Sequence, residues 1–293
     1  MTKQPAPAGS GRSAFAATRH SVKRLNSTPA APRRRRGLKR RKRSSFDRRR
    51  STALSVLAAF LCLALESIRA LDDAGLLGRG LRVIGTHALY AYEAAAGVFI
   101  DPGLTTTEDI DLLFDSRAVL RFVATGEVAD HGLIGLLKRV DRSFERTSHG
   151  FRAANDEGYL VDLVKPLRDP PWDEDRAALA ADKNDLTAVK IEGLVWLENA
   201  PSFEAMAIDE RGAPLNIVTV DPRAFAAHKL WVSRQSSRDP VKRIRDDAQA
   251  RAVAKLVTTR LEHLDYRADE LEMLPQSVFD AAASLFSRET AGE

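Results

Sequence analysis

The stretch that decides the fold runs from Val83-Ile84-Gly85-Thr86-His87-Ala88 to Thr107-Glu108-Asp109-Ile110-Asp111-Leu112-Leu113-Phe114. Its first half is a mostly apolar run, Leu81 to Ile84, that stops at Gly85-Thr86 and continues as a helix to about Ala96. Its second half sets an alternating acidic pair, Asp109 and Asp111, among Ile110, Leu112, Leu113 and Phe114, which predicts a strand. Side chains alternate faces along a strand, so Asp109 and Asp111 point one way while Ile110 and Leu112 point into a core.

Two carboxylates at this spacing repel each other unless something cationic sits between them. Magnesium suits the place, because it binds through one or two carboxylates together with substrate phosphates. An Asp-x-Asp at a strand end is also common without any ligand. A glycine and a hydroxyl residue opening a helix leave backbone N–H groups free for phosphate oxygens, although a glycine there can also serve only a tight turn.

Gly-[Ser/Thr], a helix, then Asp-x-Asp on the next strand resembles the signature of the polymerase-β-type nucleotidyltransferase superfamily. The wording of Ile84 to Ala88 with Thr107 to Asp111 is similar to a bacterial nucleotidyltransferase-like branch, over roughly residues 70 to 260. Thr86 stands where many members carry serine, and it keeps the hydroxyl. The resemblance implies nucleotidyl transfer from an NTP, ATP among them, to a hydroxyl acceptor, with two magnesium ions clamping the attacking and leaving oxygens. It implies that Asp109 and Asp111 bridge those ions and that a third carboxylate comes from a later strand, where Asp162 matches in order and in apolar flanks. Gly85 and Thr86 would bind the β- and γ-phosphates, and Lys229 and Lys242, on the late helices, are candidate triphosphate contacts; surface lysines are the alternative. The acceptor, whether protein, RNA or small molecule, is open. Two other functions stay in view: a non-enzymatic interaction protein on the same fold, and a metal-dependent hydrolase using the same carboxylates on a phosphoester.

The fold expected is α/β (α+β): a small mixed sheet with helices in residues 51–220, then a helical C-terminal subdomain in 221–293. The 293 residues are 44% hydrophobic, which is ordinary for a globular chain. The net charge of +5 hides a division. Residues 1–50 hold 17 Lys and Arg against one acid, Asp47, a net +16; the remaining 243 carry 28 against 39, a net −11. A single cysteine, Cys62, excludes an internal disulfide framework and fits a reducing, cytoplasmic setting.

Residues 1–32 lack periodic apolar positions and predict disorder. Arg33 to Arg50 carries 12 Lys and Arg in 18 residues, a composition suited to non-specific nucleic-acid contact or to a solvated tail. Thr52 to Leu65 imitates a secretory signal, yet its roughly 14 residues fall short of the ~20 that span a bilayer. Leu54, Leu57, Leu61, Leu65 and Ile68 recur at helical spacing, which predicts a buried amphipathic helix ending near Gly75. Asp101-Pro102-Gly103 predicts a loop and His131 to Asp141 a short helix. Phe144 to Ala154, the turn Asn155 to Gly158 and Tyr159 to Val164 predict a hairpin whose second strand lies beside Asp109–Phe114. Ala188 to Leu197 predicts another strand, with Trp196 either in the core or stacking on a base. Phe203 to Asp209 and Leu215 to Val220 predict a second hairpin. Asp221-Pro222 and Asp239-Pro240 each start a helix, with Asp as cap and Pro in the first position. Tyr90 and Tyr92 fit the core better than a nucleotide, and His228 a structural role better than a catalytic one. Ser277 to Phe286 predicts a terminal helix.

Overall fold

The computed structural model describes residues 60–115, 117, 126–168, 183–209 and 211–287, without the side chains of 126–131. The basic arm, the start of the Thr52–Leu65 run and most of the proline-rich Lys165–Ala181 segment lie outside the described residues. The first described helix, α1 over residues 60–73, buries Phe60, Ala64, Ile68 and Leu71. That spacing of three and four puts one stripe on the core, and Gly75, at φ 66°, follows the helix. Among the described residues no helix is long and apolar enough to cross a membrane.

The main sheet holds β1 (Leu81–Ile84), β2 (Asp109–Phe114), β3 (Glu145–Arg146), β4 (Arg152–Ala154), β5 (Leu160–Pro166) and β6 (Val189–Ile191). Its order is β1-β2-β5-β4-β3, with β6 also pairing β5. The sheet is mixed: β1 runs antiparallel to β2, β2 parallel to β5, and β4 antiparallel to β5. Strand β5 therefore lies beside β2 as the hairpin reading requires. A separate hairpin pairs β7 (Ser202–Ile208) with β8 (Pro214–Val220).

Strand alternation divides the core in two. Ile110, Leu112, Phe114, Val161 and Leu163 pack with α1 on one face. Ile84, Leu113 and Val164 pack on the other, with residues of the late helices. Those helices are α6 (Pro222–Ser233), α7 (Pro240–Arg260) and α8 (Gln276–Ala283), which follow α2 (Ala88–Ala96), α3 (Pro102–Thr105), α4 (Gly126–Val140) and α5 (Leu194–Asn199). Both Asp-Pro starts form as the sequence predicts: Asp221 accepts from the Arg223 N–H, and Asp239 from those of Val241 and Lys242.

Three local expectations are corrected. Ala188–Leu197 is not one strand; β6 ends at Ile191, Gly193 takes φ 81°, and Leu194–Asn199 is helical. The chain prefers the helix because Leu194 and Leu197, three apart, then share a buried face. Asp101-Pro102-Gly103 is the start of α3 rather than a loop, by the same device as the two later helices: Asp101 accepts from the Gly103 N–H at 2.7 Å. The helix expected from His131 begins at Gly126, and Gly132 interrupts it with φ 59°, ψ −169°.

Tyr92 ties the two parts of the core together. Its ring is fully buried, edge-on to Phe203 and Phe225, and its hydroxyl donates to the Val220 carbonyl at 2.8 Å. Tyr92→Phe keeps the ring and removes the donor, so we expect a loss of about 1–2 kcal/mol. In urea the midpoint should fall with an unchanged slope; an unmoved midpoint would show that the hydroxyl anchors nothing.

Candidate active site

The strand register builds the site. Ile84 stands opposite Asp111 across β1–β2, and Asp111 stands opposite Asp162 across β2–β5. Asp109, Asp111 and Asp162 therefore share the face that Leu113 and Val164 continue into the second core. Directly after β1 the chain turns through Gly85, at φ 66°, into a short 3-10 turn, Gly85–His87, that leads into α2. A Cβ on Gly85 would lie 2.2 Å from Asp111 Oδ2. The glycine thus serves both readings at once: it makes the turn, and it leaves room for the carboxylate.

The three acids are held differently. Asp109 accepts a hydrogen bond from the Thr107 hydroxyl. Asp162, buried, receives Nε and Nη2 of Arg152, each at 2.6 Å, the fork geometry suited to a carboxylate. No hydrogen bond or ion pair reaches the Asp111 carboxylate among the described residues. Burial raises its pKa from 3.8 to about 7, reinforced by Asp109 and Asp162 and opposed by Lys229 and Arg238. A divalent cation fits Asp109 and Asp111, because Asp111 is an unpartnered acid beside a second one. Among the described residues no three His, Cys, Asp or Glu side chains are grouped to hold one metal ion. Both Asp162 oxygens are turned to Arg152, so the shared face does not become a shared point.

The cationic side comes from the late helices. Lys229, on α6, donates to Asp246 Oδ1 at 2.7 Å, and Arg238 donates to Oδ2 at 2.8 Å. Burial works to raise the pKa of Asp246, but Lys229 and Arg238 outweigh it and hold the acid below its ordinary value. Lys242 stands exposed in the first turn of α7. Gln249 and Arg245, further along α7, donate to the Thr86 hydroxyl at 3.3 and 3.4 Å, and Gln249 also to the Leu104 carbonyl at 2.8 Å. The late helix is thereby tied to the turn beside Asp111.

Sequence reasoning missed Arg152, Arg238, Arg245 and Gln249. The alternating pattern around Arg152 was visible, and a cation across a hairpin from an acid is a readable signal; the contacts of α7 with Thr86 depend on a separation of 163 residues and carry no local signal. Trp196 packs edge-on to Trp231 at 4.9 Å and against His228. His228 is accordingly structural, its pKa lowered to about 3 by burial and then by Lys229. His87, which the sequence left unassigned, is 2% exposed beside the site; burial lowers its pKa to about 4 against the pull of Asp109.

A pH dependence follows from Asp111. Its folded pKa of about 7 lies above the ordinary 3.8, so between these values the native state binds more protons than the unfolded chain. Stability then falls as pH rises. Without divalent cations, melting temperature should drop by roughly 5 °C between pH 5 and pH 8 through this group. Asp111→Asn should flatten that part of the profile; an equal slope in the variant would assign it elsewhere.

No curated protein and no solved structure matches the chain. A nucleotidyltransferase family matches it over residues 64–275, a span that contains β1, β2, β5 and both Asp-Pro helices. With most of its length matched, the chain belongs to that nucleotidyltransferase family.

Proposed function

We propose that this nucleotidyltransferase moves an NMP from an NTP to a hydroxyl acceptor in the cytoplasm, with Mg2+ as its cofactor. What supports this reading is the unpartnered Asp111 carboxylate, next to Asp109 and under the Gly85 turn. Asp109 and Asp111 would hold a first ion and Asp162, once Arg152 releases it, would help hold a second; bound ions would supply charge neutralisation at the transferring phosphorus. Gly85 and Thr86 take the β- and γ-phosphates. Lys229, with Arg238 beside it, and Lys242 contact the triphosphate. The acceptor oxygen attacks the α-phosphorus, the new O–P bond forms as the bond to the bridging oxygen breaks, and pyrophosphate leaves. The acceptor proton passes to Asp162, which requires Arg152 to release it.

Arg152 also favours a second reading. A carboxylate held by both oxygens suits a fold that keeps the acids as structure and acts as an interaction protein, with residues 33–50 contacting nucleic acid. The two readings separate by scanning α-labelled NTPs, ATP included, against an extract of the host with and without EDTA. Label that reaches an acceptor only with Mg2+, and not with Asp109→Asn, supports transfer; no incorporation from any NTP favours the scaffold.

A further inference from the structure

An apolar cleft of about 860 Å³ opens beside the carboxylates. Its walls are Leu61 and Leu65 of α1, Phe99, Met206 and Ile208 of β7, and Leu215 of β8. This volume lies in the usual range for a small-molecule site. Phe99 is 97% exposed, Met206 58% and Ile208 66%, so among the described residues little covers three large apolar side chains of its lining. Among the described residues no lysine or arginine lines it, and its acids are Glu93 and Asp209. Two cations bonded to its lining residues are engaged, Arg69 by Asp209 at 2.7 Å and Arg245 by the Thr106 carbonyl, which disfavours a triphosphate there. Lys229 and Arg238, whose charges act on Asp111, are not among its lining residues.

The inner end of the cleft is polar and touches the site. Thr107 lines it, and the Thr107 hydroxyl donates to Asp109. His87 lines it too; this side chain is 2% exposed, and its Nδ1 has no hydrogen-bond partner. An apolar body in the cleft with a hydroxyl at this end would set that hydroxyl against His87 and Thr107, whose own hydroxyl is bonded to Asp109. We infer that the cleft binds an uncharged alcohol with an apolar body and that this alcohol is the acceptor, an assignment that rests on the nucleotidyl-transfer reading above. In the transfer the alcohol's O–H gives its oxygen to the α-phosphorus and its proton to Asp162, while pyrophosphate departs.

The test uses the full chain, Nile red as a neutral apolar probe, and 4-hexylphenol against 4-hexylphenyl phosphate as competitors. We expect Nile red to brighten on binding, the phenol to displace it, and the phosphate ester to do so at least tenfold more weakly. Met206→Asp with Ile208→Asp, both at exposed positions, should weaken dye and phenol at least tenfold while the circular dichroism spectrum stays the same. His87→Phe should weaken the phenol several-fold and spare the dye. Absence of dye binding, as when the chain's own upstream residues or a second copy fill the cleft, overturns the proposal, and so do equal displacement by the ester and indifference to the double substitution. Transfer is read separately, with α-labelled NTP and the phenol. Label reaching the phenol equally in the double variant overturns the cleft and leaves nucleotidyl transfer standing. Binding as expected with no label transferred supports the cleft and counts against the transfer reading.

Discussion

Asp111→Ala is expected to lower nucleotide transfer by roughly 10³-fold, the scale on which loss of one group stabilising transition-state charge is felt, without unfolding the protein. The two effects separate because Asp111 is costly to the apo fold. It is an acid among acids, with its pKa raised to about 7 by burial, Asp109 and Asp162, and among the described residues no hydrogen bond holds it. Removing it relieves that repulsion, so the apo melting temperature at pH 8 should hold or rise, by on the order of 5 °C. A residue placed for structure behaves in the opposite way. If the variant melts well below the wild type without Mg2+, the acid belongs to the scaffold. Added Mg2+ should raise the melting temperature of the wild type and leave Asp111→Ala nearly unmoved, since only an ion that binds the native state stabilises it.

Gly85→Ala is the second large effect. The residue takes φ 66°, a conformation that costs a side-chain-bearing residue roughly 1–2 kcal/mol. Its new Cβ would also stand 2.2 Å from Asp111 Oδ2, so the carboxylate must move. A displacement of about 1 Å at a reacting centre is enough for a loss near 10²-fold. The expected variant is folded, melts about 5 °C lower, and transfers nucleotide at about one hundredth of the wild-type rate. Gly158→Ala is the control: φ there is 87°, and nothing lies within 4 Å of the added atom. It should show the backbone cost and keep its activity. Equal activity losses in the two variants would refute the idea that the turn exists to make room for Asp111.

Much of the fold was legible because its signals are local. The alternation of Asp109 to Phe114 set a strand with an acid face and an apolar face, and the two core clusters divide along that alternation. Asp162 was legible through its flanks, Val161 and Leu163, which place it on the same face as Asp111 once β5 pairs with β2. The Asp-Pro starts at 221 and 239 were legible because cap and proline act within one turn. The same signal at Asp101-Pro102 was passed over because the following glycine suggested a loop. Ala188 to Leu197 was misassigned because Val189 and Ile191 favour a strand, whereas the helix after Gly193 is decided by packing against the distant Trp231 and His228. The partners of the site were the least legible part. Thr86 is met by Arg245 and Gln249, 159 and 163 residues away, and Asp246 gathers Lys229 and Arg238; these contacts depend on how α6 and α7 fold back.

Nucleotidyl transfer at Asp109 and Asp111 is tested most directly by following two labels in parallel, one on the α-phosphate and one on the γ-phosphate of the same NTP, with Mg2+ and an extract of the host as the source of acceptor. The account predicts that the α-label ends on an acceptor, that the γ-label leaves as pyrophosphate, and that both events disappear in Asp109→Ala. A γ-label found on the acceptor or released as orthophosphate, with the α-label left in solution, would contradict it.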